Sequence, residues 1–220
     1  VEAALRVLDA EGLDGLSIRR LGSELNAGAT SVYWHVRDKE ELLDLALDEV
    51  LGRIQLPQPT EDWRTDLEAC AVELRRVLLA HPYAVALMLS RPAIGPKTLR
   101  AVEFALATLH RAGFTGVDVF FAYSAVITYV TGEASQEVAW AQGAQAADVD
   151  AEAAWKATTD YLGSLDPKVY PTLLAQAPHM FSHDQEAQFR FGLATVLDGL
   201  KARLTVTKSA PAEKPRKPRR

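Results

Sequence analysis

Cysteine is almost absent from this sequence: Cys70 stands alone among 220 residues. A lone thiol excludes an intrachain disulfide framework and a thiolate metal cluster. Long apolar runs are missing too. No stretch approaches the ~20 residues that a bilayer-spanning helix needs, so no membrane partner is expected. The opening VEAALRVLDAEG puts Glu2 where a secretory signal carries basic residues, and no apolar h-region follows. A cytoplasmic location is the expectation. The chain starts at Val1 rather than methionine, so native residues before it are expected. Catalytic signatures are equally scarce: there is no Gly-x-Ser-x-Gly elbow, phosphate loop, dinucleotide fingerprint or zinc-protease motif. No enzyme activity and no cofactor are expected. His179 and His183 sit four apart, but they lack a nearby third ligand and follow Pro178, so no metal site is expected.

What is present is charge, unevenly spread. The formal net charge of −5 combines a basic end with an acidic remainder. From Lys208 to Arg220 there are six Lys/Arg and one Glu, which leaves 18 basic and 28 acidic residues before them. An acidic body argues against broad, sequence-blind nucleic-acid binding, which depends on phosphate neutralisation. It leaves room for a small local DNA-reading face. The Pro-rich basic end reads as disordered.

Helical periodicity dominates and strand alternation is nearly absent, which predicts an all-α fold. Val1, Ala4, Leu5 and Leu8 form a first stripe that stops at Gly12. Ser17 suits the cap of a short second helix, with Ile18, Leu21 and Leu25 facing inward. Asn26-Ala27-Gly28 reads as a tight turn, and a third short helix is expected from Ala29 to His35. Asp38 with Glu41 resembles a capping box for a long fourth helix that ends before Pro57. Further helices are expected at Asp62–His81, Pro96–Ala112, Gly116–Ala141, Ala151–Leu162 and Asp184–Leu204, with a short turn near Thr172–Ala177. This divides the chain into a head at 1–56, a helical body at 57–204 and a disordered tail at 205–220.

Two short helices separated by a three-residue turn and braced by a third match the helix-turn-helix plan. Thr30 and Ser31 sit among small residues and offer hydroxyls to base edges. Tyr33, Trp34 and His35 suit phosphate or sugar contacts. Lys39, at the start of the next helix, suits a phosphate. On periodicity alone, the same cluster is equally a packed subdomain with Trp34 in its core.

The segment LSIRRLGSELNAGATSVYWHVRDKEELLDLAL, residues 16–47, resembles the DNA-binding domain of the tetracycline-repressor (TetR-like) family of bacterial transcription regulators. Gly15-Leu16-Ser17-Ile18-Arg19 and Val32-Tyr33-Trp34-His35-Val36-Arg37-Asp38-Lys39 carry the likeness. SRP at Ser90–Pro92, SAV at Ser124–Val126 and FGLATVLDGL at Phe191–Leu200 extend it more weakly. The resemblance implies a ligand-responsive repressor, a homodimer on double-stranded operator DNA released by a small-molecule effector. It places Arg19 near DNA from the second helix, Thr30 and Ser31 at bases, Tyr33 and His35 on backbone, and Lys39 on phosphate. Ala29-Thr30-Ser31 replaces a Gln-Pro-Thr-like triplet of the nearest relatives, which implies a different operator.

In the body, polar residues among apolar ones suggest a cavity lined by Leu74, Leu87, Ser90, Arg91, Glu103 and Gln136. Met88, Phe104, Tyr123, Thr128, Thr131 and Trp140 are further candidates. The resemblance sets Leu87 where a metal-binding histidine of tetracycline repressor lies, and Gln55 where a drug-contacting histidine lies. Cys70 and Leu74 replace an amide and an aromatic ring. Arg91 and Glu103 would need each other or a polar ligand group. A largely apolar effector is therefore expected, rather than magnesium–tetracycline. Phe189, Leu193, Val196, Leu197 and Leu200 form a stripe that a helix packed within its own subunit explains. The resemblance instead assigns it to the dimer seam.

Overall fold

The helical period read from the sequence builds ten helices and no strand among the described residues, which are 1–26, 28, 32–146, 151–180 and 184–209 of a computed structural model. The head holds α1 (Glu2–Gly15), α2 (Ile18–Glu24) and α3 (Lys39–Leu51). The body holds α4 (Trp63–Ala80), α5 (Pro82–Ser90), α6 (Pro96–Ala112), α7 (Val117–Ala146), α8 (Ala151–Gly163), α9 (Pro171–Met180) and α10 (Gln185–Ser209).

Local chemistry sets the boundaries. Gly12 interrupts α1 at φ 69°, a left-handed conformation that glycine adopts without steric cost. The Ser17 hydroxyl accepts the Arg20 N–H at 3.1 Å and starts α2. Asp38 accepts the Glu41 N–H at 2.8 Å and starts α3. The Glu41 carboxylate reaches back to the Arg37 N–H at 2.6 Å, one residue before the capping-box partner. Gly113, at φ 113°, closes α6.

Four boundaries differ from the sequence reading. Pro82 ends α4 but also starts α5, because proline suits a first helical turn. The segment near Thr172–Ala177 is a full helix that accommodates Pro178 in its last turn. Helix α7 runs past Gly143 to Ala146. Helix α10 continues to Ser209, so residues 205–209 of the expected disordered tail are helical. Ala29–Ser31, His183 and residues 210–220 lie outside the described residues.

The core is continuous from head to body. Helix α3 joins the two, burying Leu42, Leu43, Ala46, Leu47, Val50 and Leu51 while it packs against α1, α4, α5 and α6. At the far side, α10 packs on α7. Tyr129 stacks on Phe189 at 5.8 Å and donates its hydroxyl proton to the Phe189 carbonyl at 2.9 Å. A Cβ at Gly192 would overlap the Tyr129 ring, so close approach there requires glycine. Arg75 of α4 lies 4.7 Å over the Phe189 ring and pairs with Glu137 and Glu186 at 2.8 and 2.7 Å.

That packing corrects the assigned dimer seam. Phe189, Leu193, Leu197 and Leu200 are 1%, 1%, 0% and 6% exposed within one chain, and Val196 is half-buried. Four of the five are thus buried within their own subunit, where α10 packs on α7 and α4, the arrangement that a helix packed within its own chain explains.

Asp48 is a buried carboxylate on the otherwise apolar face of α3. It accepts the Thr98 N–H at 2.8 Å, the Thr98 hydroxyl at 2.9 Å and the Lys97 N–H at 3.3 Å. Gly95, the N-cap of α6, has no side chain to cap that helix; α3 supplies the cap from outside. A Cβ at Gly95 would overlap the Asp48 carboxylate. Asp48→Ala should therefore cost roughly 2–3 kcal/mol, the value of charge-assisted hydrogen bonds whose buried donors are left unpaired. Urea unfolding measures this; an unchanged midpoint would contradict the capping role.

Candidate nucleic-acid interface and effector core

Val32 and Val36 are buried and pin the segment between α2 and α3 to the head core. The residues between them turn outward. Tyr33 is 57% and Trp34 85% exposed, and His35 is exposed beside them. Trp34 is thus no core residue, and an indole this exposed is available to a partner. Arg19 is exposed on α2, and its side chain has no hydrogen bond or ion pair among the described residues. Arg20, next to it, is committed to Glu11 at 2.7 Å and Glu24 at 3.1 Å; their hydrogen bonds hold its pKa above the usual arginine value. Arg19 is therefore the cation that α2 presents outward. Thr30 and Ser31 fall outside the described residues.

Lys39 does more than face solvent. It is half-buried, and its ammonium donates to the Leu13 carbonyl at 3.1 Å, near the end of kinked α1. Terminal helix carbonyls lack intrahelical partners, and a lysine nearby satisfies one. The remaining ammonium protons are still available to an anion.

The candidate cavity residues separate into two groups. Leu74 and Leu87 are buried, 5% and 2% exposed, in the continuous core. Cys70 lies there too, its thiol pushed up to about 11 by burial. Tyr123 is half-buried nearby, its phenol raised above the ordinary value by burial. Thr131 is buried, and its hydroxyl has no hydrogen-bond partner among the described residues. Gln55, Ser90, Glu103 and Gln136 are instead exposed. The Ser90 hydroxyl donates to the Ala86 and Leu87 carbonyls of its own helix at 2.9 and 3.3 Å. The Gln55 backbone N–H donates to Glu73 at 3.2 Å.

Arg91 is the clearest correction. It does not meet Glu103, which lies on the exposed side of α6. Its guanidinium forks onto Glu40 and Asp44 of α3, both at 2.9 Å, and also donates to the Glu40 carbonyl at 3.2 Å. Glu40 and Asp44 are four residues apart and so share one helix face. This arginine bolts body to head. Sequence reasoning also missed Asp48 and Arg75. Asp48 carried a usable signal: a carboxylate flanked by Ala46, Leu47, Val50 and Leu51 occupies a buried register.

Comparison with known proteins fits this geometry. Residues 1–46 match the family described as bacterial regulatory proteins, tetR family, and residues 56–204 match the tetracyclin repressor-like C-terminal domain. The chain belongs to the TetR family. A Saccharopolyspora erythraea HTH-type transcriptional regulator is 49% identical over 64% of this chain, a region spanning 60% of that relative's length. The HTH-type transcriptional repressor DrrR1 of Streptomyces coeruleorubidus is 34% identical, covering 91% of this chain and 75% of its own. Among solved structures, apo ActR of Streptomyces coelicolor superposes with a TM-score of 0.83 at 31% identity, over 94% of each chain. ActR with actinorhodin gives 0.80 at 32% identity, covering 92% of this chain and 95% of that one. The TetR assignment makes the chain a DNA-binding transcriptional regulator with an all-α fold. No helix among its described residues is long and apolar enough to cross a membrane.

Proposed function

We propose that this TetR-family protein is a repressor that binds operator DNA as a homodimer and leaves it when a small, largely apolar molecule enters the body core. It acts in the cytoplasm by binding rather than catalysis. The observation that carries this reading is the outward exposure of Tyr33, Trp34 and His35, hung on buried Val32 and Val36, and of Arg19 on α2. Residues 1–56 form the reading head and 57–204 the sensing and pairing body.

The effector core centres on Leu74 and Leu87, with Cys70, Tyr123 and Thr131 as its few polar atoms. Leu87 carries no metal-ligand atom, so a magnesium-borne drug finds nothing to hold its cation there. A mostly apolar molecule with one or two polar groups fits this chemistry, and the Thr131 hydroxyl, without a partner among the described residues, offers it one hydrogen bond. The related ActR structure with actinorhodin supports a ligand-responsive body.

Pairing falls to the outer rows of α7 and α10. Phe121, Ala125 and Thr128 recur on α7, and Phe191, Thr195, Gly199 and Ala202 on α10; all are exposed and none is charged. Beside Phe121 and Ala125 the two helices adjoin at Leu200 and Arg203. Two such faces related by a two-fold axis would present recognition segments to major grooves about 34–36 Å apart.

A mobility-shift titration with the DNA flanking its own gene tests the function. A retarded band should form and be lost with rising salt. Arg19→Ala should weaken binding to all sequences and lower the salt slope by about one. Substituting Thr30 or Ser31 should change which sequence is preferred. No retarded band at low salt, or an unchanged slope in Arg19→Ala, contradicts the reading.

Sedimentation equilibrium tests the pairing face. Thr128→Arg should give folded monomers at micromolar concentration, because an unpaired charge buried at a seam costs several kcal/mol. Leu197→Arg should instead unfold the subunit, since Leu197 is fully buried within it. A Thr128→Arg dimer as tight as the wild type would rule this face out.

A further inference from the structure

The corner between α4 and α5 carries a histidine that grips the head twice. His81 is out of helical geometry at φ −134°, ψ 74°, and Pro82 follows, so the ring stands on a stiff corner. It is 9% exposed. Its Nδ1 lies 2.8 Å from Asp9 Oδ1 on α1. Its Nε2 lies 3.0 Å from Arg53 Nη1, just past the end of α3.

The partners fix the ring's proton. A guanidinium only donates, so Nε2 accepts from Arg53 and the Nδ1–H donates to the Asp9 carboxylate. Tyr83 of α5 packs edge-on at 5.8 Å and faces Asp9. Arg53 also reaches Glu2 of α1 at 3.5 Å, and its carbonyl accepts from Arg76 of α4 at 3.3 Å. Glu11 and Glu137 line the same groove as Asp9 and Tyr83.

We infer that His81 is a positioning residue for DNA binding: a neutral donor–acceptor clamp that holds α1 and the end of α3 to the body at the angle an operator needs. Protonation would convert it to two donors. Nε2–H would then oppose the Arg53 N–H, cation against cation, while the Asp9 side stayed bound. One half of the clamp opens, and acid loosens the head. The inference rests on the operator binding proposed above.

The test compares wild type, His81→Gln and His81→Phe by operator binding at pH 8.0 and 5.5, on either side of the range where histidines change charge. Glutamine keeps a donor and an acceptor but does not titrate; phenylalanine keeps the ring and loses both bonds. At pH 8.0, His81→Gln should bind within threefold of wild type and His81→Phe at least tenfold more weakly. Acidification should weaken wild type at least fivefold more than His81→Gln. Wild-type affinity in His81→Phe, or parallel pH profiles for wild type and His81→Gln, would overturn the clamp. If His81→Phe fails to fold, the comparison of the other two decides. If wild type itself binds no operator, the functional reading fails and the clamp is judged without DNA by amide exchange. Faster exchange in α1 and residues 52–56 of His81→Phe, but not of His81→Gln, supports it; equal exchange in all three overturns it.

Discussion

Helix α3 is shared by two neighbours, and it cannot satisfy one without constraining the other. Its apolar residues pack into head and body at once, within one continuous core. Polar bonds fasten it along its length: Arg91 holds Glu40 and Asp44, and Asp48 caps α6. Just beyond its end, Arg53 meets His81. Close-packed interiors shift between discrete arrangements rather than deform smoothly. A change in how the body packs therefore has a direct mechanical route to the outward-facing segment at Tyr33–His35. An effector acts through that route only by its differential affinity for the two arrangements.

The same constraint bears on the effector. Leu74 and Leu87 are already out of water, so a ligand among them must displace close contacts and offset that loss with its own apolar burial, at about 25 cal/mol per Å². The Thr131 hydroxyl has no hydrogen-bond partner among the described residues, and a buried hydroxyl left so carries an energetic cost that a bound polar group would relieve. Chemistry of this kind favours an apolar molecule with a small polar handle over a hydrated metal complex.

Much of this was legible in the sequence, and the rest failed for identifiable reasons. Caps and periodicity located the helices, because Ser17, Asp38, Asp62, Pro96 and Gly113 act through local backbone chemistry. The helix expected to end at His81 is followed at once by another, because Pro82 can end one helix and begin the next. Burial of the α10 stripe was visible, but not which surface covers it; a stripe encodes contact, not partner. Arg91 was drawn toward Glu103 by polarity alone, whereas the turn after α5 aims it at α3. Long-range pairs such as Asp9 with His81 leave no mark in local spacing. The outward aromatic triplet was legible as a candidate interface, and buried Val32 and Val36 account for its orientation. The base-reading assignment of Thr30 and Ser31 falls outside the described residues.

The coupling of head to body is tested most directly by the distance between the two heads of the proposed dimer. A spin label at Arg37→Cys is well placed, since Arg37 is exposed and buried Cys70, with its thiol pushed up to about 11, resists labelling. Pulsed electron resonance then reads the head–head distance with operator, and again with an apolar compound that releases it. A narrow distribution on operator that shifts by several ångströms on release is the expected result. An unchanged head–head distance in the presence of a compound that releases the operator would contradict the coupling.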